Sequence, residues 1–192
     1  MHTTPVETSI LDIAQTLAQT RGYNAFSYRD ISEVIGIKTS SIHYYFPTKG
    51  DLGEALVRRY RDNFKTALSL IDEQTNDPLK KLKLYMELFK KTLHIDNKVC
   101  LCGMLAADFT TLPPEIQAQV QGFFSDNELW LAKTLQAGKT QGYFHLHASA
   151  DTVAKIFLDT LEGTMMAARS FSDVKRFTNT TKWLLESLAY KG

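Results

Sequence analysis

Between Ser27 and Leu52 the chain reads SYRDISEVIGIKTSSIHYYFPTKGDL, and this stretch limits the fold more than any other. It predicts two helices of about two turns each. The turn Gly36-Ile37-Lys38 separates them, and Phe46-Pro47 closes the second, because a residue before proline avoids the α region. Ser27 is placed to cap the first, with Asp30 near the positive end of its dipole and Ile31, Val34 and Ile35 on its apolar side. Helices this short are not stable alone, since helical stability comes mainly from burying an apolar face. A further helix must complete the core, and the residues ahead of Ser27 supply one. Thr4-Pro5-Val6-Glu7 is a capping box with proline at the first helical position. Val6, Ile10, Ile13, Ala14, Leu17 and Ala18 then share one face, and Gly22 ends the helix. Leu17, Ile31, Ile42 and Phe46 are the expected members of a three-helix core.

That core leaves the outer face of the second short helix open, carrying Thr39, Ser40, Ser41, His43 and Tyr44. Small hydroxyl residues let a helix backbone sit deep in a DNA major groove, where they meet base edges or phosphates; ordinary solvated residues are the alternative. Lys38 and Tyr45 bracket the same helix, Tyr45 reading equally well as core. Lys49 is expected to add a phosphate contact beside the N-terminal amides of the next helix. Ser27, Tyr28 and Arg29 would flank the groove, with Arg29 in reach of guanine or phosphate. Charge adds little: the net charge is +1. Arg58, Arg59 and Arg61 read as a solvated helical face.

The rest of the chain continues in helical periods. Thr48 caps a helix running to about Glu73, Asp77-Pro78 opens another through Leu93, and a short apolar segment covers Cys100 to Phe109. Pro113-Pro114 begin a long helix ending near Gly142, and two more span about Ala150–Ser170 and Asp173–Tyr190. With no strand-type alternation and no repeat, the fold class is all-α. The expected division falls at Asn63–Lys65, inside a helix, giving domains 1–64 and 65–192. No apolar run approaches the roughly 20 residues that span a bilayer, and Met1 to Glu7 lack the pattern of a secretory signal. A cytoplasmic protein with no membrane partner is expected.

The motif I31-S-E-V-I-G36-I37-K-T-S-S-I42-H43-Y44-Y45-F46-P47-T48-K49-G-D-L52 resembles the helix-turn-helix of TetR-type (tetracycline-repressor-like) regulators. The glycine turn, the aromatic cluster, Phe46, Thr48-Lys49 and Leu52 fall at that family's offsets. Ser32 and Ile35 replace its usual alanines, and His43 replaces a tyrosine that contacts phosphate, a hydrogen bond an imidazole can also donate. The resemblance implies an N-terminal three-helix DNA-binding domain and a C-terminal helical domain for ligand binding and dimerisation. It implies a one-component repressor that binds double-stranded operator DNA as a homodimer and is released by a small-molecule or electrophile effector.

Several residues outside the motif fit that picture. Met86, Phe89, Met104, Phe123, Trp130 and Met166 suit either an adaptable effector cavity or an ordinary core. Asp108 and Glu162 are candidate polar anchors, or else surface and capping residues. Cys100 and Cys102 have neither zinc-knuckle nor thioredoxin spacing. They read as small buried hydrophobes or as thiols that sense oxidants and electrophiles, with Lys98 nearby to lower a thiol pKa. The segment 150–170 is apolar on more than one side, so one face is expected to meet a second copy. Phe157, Leu161, Gly163, Ala167, Trp183, Leu184 and Leu188 are the expected dimer interface, with Gly163 and Ala167 permitting a close crossing. His145 and His147 read as loop residues, and neither a metal nor a cofactor is expected. No general base stands at a recognisable spacing from the cysteines, so the chain does not read as an enzyme.

Overall fold

A computed structural model describes residues 4–96 and 98–188; the expected helix end at Tyr190 lies outside them. Among the described residues there are nine α-helices and no β-strand. They are α1 (Pro5–Arg21), α2 (Tyr28–Ile35), α3 (Thr39–Tyr45), α4 (Lys49–Gln74), α5 (Pro78–His94), α6 (Leu101–Ala107), α7 (Pro114–Thr140), α8 (Ala150–Ser170) and α9 (Val174–Leu188). Their starts follow from local chemistry. The Glu7 N–H donates to Thr4 Oγ1 at 3.2 Å, and the Thr4 N–H donates back to the Glu7 carboxylate at 3.4 Å. The Asp77 carboxylate accepts from the N–H groups of Leu79 and Lys80 at 2.8 and 3.1 Å. The N–H of Thr152 donates to Ser149 Oγ at 3.1 Å. Each side chain occupies donors that a helix start otherwise leaves unsatisfied. Gly36 ends α2 with φ +78°, the left-handed conformation that a side chain disfavours.

The chain forms two compact units. The first holds the residues up to Asn63 together with Leu101–Phe123. Ile10, Ala14, Ile31, Ile42, Leu52 and Leu56 have no exposed surface, and Leu17 and Phe46 are also buried, so the expected three-helix core is present. The grouping differs from a simple cut at residue 64, because α6 packs on α1 and the start of α7 packs on α4. Gly53 marks that second approach: a Cβ there would lie 2.3 Å from Ile116 Cδ1 and 2.7 Å from the Tyr23 hydroxyl. Asn24 adds a hydrogen bond to Thr111 Oγ1 at 3.2 Å. These partners are distant in sequence, so periodicity gives no hint of them.

The second unit holds Phe64–Cys100 and the residues from Phe124 on. α5, α8 and α9 pack together there around Leu82, Tyr85, Phe157, Leu158, Leu161 and Phe177, all without exposed surface. Among the described residues no helix is long and apolar enough to cross a membrane.

Candidate functional site

α3 is held from behind by Ile42, which is fully buried, and is closed by Phe46 at 4% exposure. Its other residues face out: Lys38, Thr39, Ser40, His43 and Tyr44 are exposed, and Ser41 and Tyr45 are half-buried. Tyr44 is the most open of them at 81%, its ring set edge-on to that of Tyr45 at 5.2 Å. Arg29, also exposed, pairs with Glu33 one turn on at 2.8 Å.

Four of the expected contacts, Ser27, Tyr28, His43 and Lys49, have polar atoms bonded within the protein. A phosphate oxygen only accepts hydrogen bonds, so what matters is whether each side chain still has a proton to offer. The Ser27 hydroxyl donates to the Asp30 carboxylate at 2.6 Å, alongside the Ser27 N–H at 2.8 Å, completing the cap of α2. Those two bonds hold the Asp30 pKa below the usual carboxylate range. The Tyr28 hydroxyl lies 2.8 Å from the Phe46 carbonyl and 2.6 Å from the Thr48 carbonyl, tying the start of α2 to the joint between α3 and α4. His43 Nδ1 is 3.1 Å from the Pro47 carbonyl, and a carbonyl cannot donate, so Nδ1 carries the proton in the neutral ring and Nε2 is left an acceptor. Lys49 departs furthest from expectation. Its ammonium donates to the Phe26 carbonyl and sits 4.8 and 4.7 Å from the Tyr23 and Phe26 ring centroids. Burial lowers its pKa, the aromatic faces attract the ammonium, and two of its three N–H groups lie beyond the one given to Phe26.

The joint after α3 is secured by a second acidic cap, at Thr48, where the sequence places the start of the next helix. Asp51 accepts from the Thr48 N–H and hydroxyl at 2.8 and 2.7 Å, repeating the Ser27–Asp30 arrangement. The T-x-x-D spacing was the available signal.

The expected effector residues are not all in one unit. Met86, Phe89, Cys100, Trp130, Glu162 and Met166 belong to the second, whereas Cys102, Met104, Asp108 and Phe123 belong to the first. Cys100 and Cys102 are both buried and neither is in a disulfide. Phe89 and Phe123 are buried, while Met166 is 40% exposed. Glu162 is half-buried as a residue, but its Oε1 is buried and accepts no hydrogen bond from a described residue. The fully buried Tyr85, absent from the sequence reading, donates its hydroxyl to Asn127 Oδ1 at 2.9 Å. Its place in the apolar period of α5, beside Leu82 and Phe89, disguised it as plain core.

The expected dimer residues also divide. Phe157 and Leu161 have no exposed surface, and Leu184 and Leu188 very little, because the protomer's own helices cover them. Gly163 and Trp183 are exposed and Ala167 is half-buried; Ile156 and Met166, not assigned to the interface from sequence, are exposed on α8 as well. His145 and His147 set their rings edge to face at 4.7 Å.

Comparison with known proteins joins these observations. The model of bacterial regulatory proteins of the tetR family matches residues 10–56, and the model of the tetracyclin repressor-like C-terminal domain matches residues 78–184. The crystal structure of a TetR-family transcriptional regulator from Agrobacterium tumefaciens is 34% identical, covers 95% of this chain and 97% of its own, and superposes with a TM-score of 0.92. A TetR transcriptional regulator from Legionella pneumophila is 33% identical over 98% of this chain and 100% of its own, with a TM-score of 0.88. The HTH-type transcriptional repressor KstR2 of Mycobacterium tuberculosis is 25% identical over 152 residues, 79% of this chain and 75% of that protein.

Proposed function

The chain belongs to the TetR family of bacterial regulatory proteins, which are DNA-binding transcriptional regulators, and from that membership we propose that it is a repressor acting on operator DNA as a homodimer. The observation that carries the reading is the outward row Thr39, Ser40 and Tyr44 on a helix whose inner side is sealed by Ile42. Residues 1–64 read DNA; residues 65–192 take the effector and dimerise. Lys38, Thr39, Ser40, Ser41, Tyr44 and Arg29 meet the duplex, while Ser27, Tyr28, His43 and Lys49 hold α3 in place.

A second copy docks on the face that presents Ile156, Gly163, Met166 and Trp183. Two-fold symmetry then sets the two α3 helices about 34–36 Å apart, one turn of DNA. An effector, either a small molecule or an electrophile, binds in the 65–192 domain and favours a state with the wrong spacing. It must bind that state more tightly, or nothing shifts. Losing simultaneous engagement of two half-sites removes the avidity.

The test is selection of sites from a random duplex library, followed by fluorescence anisotropy on the selected duplex. Ser40→Glu sets a carboxylate against the phosphate-lined groove and removes a base or backbone contact, a loss of about 2–3 kcal/mol or roughly a hundredfold in affinity. Failure to select any site, or full affinity in Ser40→Glu, rejects the reading.

A further inference from the structure

Tyr85, Cys100, Asn127 and Glu162 form a buried polar cluster in the second unit that DNA binding does not use. Tyr85 is fully buried and bonded to Asn127, itself 1% exposed. The Glu162 carboxyl is hydrogen-bonded with the Cys100 side chain, yet its Oε1 is buried without a donor from any described residue. A buried oxygen left in that state is destabilising unless something else supplies a donor. The charged groups acting on this carboxyl are Cys100 and Asp159, both acids. Together with burial they hold its pKa well above the usual carboxylate range.

The surroundings are aromatic. The rings of Phe89, Trp130, Phe64 and Phe157 lie 5.2, 5.3, 6.1 and 6.4 Å from that of Tyr85. Trp130, half-buried and stacked on Tyr85, lines two open grooves of about 340 and 240 Å³. Its indole N–H donates to Asp72 at 2.9 Å, a single bond that a rotation of the ring breaks. Three lysines line those grooves: Lys65 and Lys81 are paired with Asp126 and Asp72, and Lys133 lines both.

An acceptor oxygen in one cluster with a tyrosine ringed by aromatic faces, with acids as its titratable neighbours, is complemented by a ligand that brings positive charge and N–H donors together. Aromatic faces attract cations within about 6 Å, and an ionised donor gives the stronger hydrogen bond. We propose that this cluster takes the head of a primary organic ammonium ion with an apolar body, Glu162 Oε1 accepting its N–H and Trp130 swinging aside to admit it. The arriving ammonium favours the ionised carboxyl, so the proton that a raised pKa retains there passes to solvent as the ammonium–carboxylate pair forms. The inference rests on the reading of the 65–192 domain as effector-binding.

The experiment is isothermal titration of the full chain near neutral pH with 4-phenylbutylamine, 4-phenylbutanol and 4-phenylbutyrate, three probes of one shape. The amine is fully protonated there, its pKa resembling that of lysine, about 10.4. It is expected to bind at least tenfold more tightly than the alcohol, with the carboxylate weakest. Comparing buffers of different ionisation enthalpy should show net proton release on binding the amine. Glu162→Gln should reduce the amine to the level of the alcohol; should that variant not fold, proton release by the natural chain decides. Equal affinity of amine and alcohol, no binding, no proton release, or a preference that survives in folded Glu162→Gln overturns the proposal. An operator titration in parallel separates the two readings. Selective amine binding that leaves the DNA complex intact sinks the effector role and keeps the ammonium site, whereas release by other compounds with no amine selectivity does the reverse.

Discussion

Gly163→Ala offers a test whose sign depends on whether a second copy is present. Gly163 lies inside α8, exposed, and a Cβ built on it meets nothing within 4 Å. In the protomer alone, the added methyl is free of steric penalty and gains the helix propensity of alanine over glycine, about 1 kcal/mol. For a chain of this size that raises the melting temperature by roughly 2–4 °C. In the proposed dimer, α8 crosses its counterpart at this position, and two methyls enter a packed seam. Overpacking of that kind costs typically about 1–3 kcal/mol. The propensity gain is present in the folded monomer and in the dimer, so it cancels from the dissociation equilibrium and the steric cost remains. The dimer dissociation constant is therefore expected to rise roughly 5- to 150-fold. Sedimentation equilibrium of the natural chain and the variant measures it directly. A variant that melts higher and dimerises as before would place the crossing elsewhere and refute the argument.

Other substitutions probe the supports of α3 and the buried acid. Tyr28→Phe removes the hydroxyl that reaches the Phe46 and Thr48 carbonyls, and should lower stability by about 1–2 kcal/mol and weaken operator binding; denaturation and anisotropy report the two effects. In Gly53→Ala the propensity gain of about 1 kcal/mol meets a clash with the fully buried Ile116 and with Tyr23, whose hydroxyl is held by the Lys49 carbonyl at 2.6 Å. Overpacking wins by about 1 kcal/mol, and a higher denaturation midpoint would contradict the close approach. Glu162 has a folded-state pKa above its unfolded value, so folding takes up a proton between the two. Its contribution is intact below the unfolded value and fades as pH rises toward the folded one. Because glutamine does not titrate, the melting advantage of Glu162→Gln should widen from pH 4 to pH 8; a constant gap counts against the buried acid.

Local chemistry alone was enough to lay out the helices. Thr4-Pro5, Ser27, Gly36, Phe46-Pro47, Thr48 and Asp77-Pro78 mark their ends because caps, left-handed turns and proline act within a few residues. The same locality placed Ile42 inside and Ser40 outside, since about half a turn of helix separates them. Tertiary packing decided which groups still have something to offer. The partner carbonyls of Tyr28 and Lys49 lie 18 to 23 residues away, and only the folded chain shows that the Tyr28 hydroxyl and one N–H of the Lys49 ammonium are engaged. Phe157 and Leu161 sit on a helix apolar on two sides, a pattern that cannot say which side the protomer keeps for itself. Residues 101–123 join the first unit, and Glu162 Oε1 is buried without a donor, through contacts made far along the chain. Periodicity records which way a residue points along its own helix; the identity of what it meets is set by how helices distant in sequence come together.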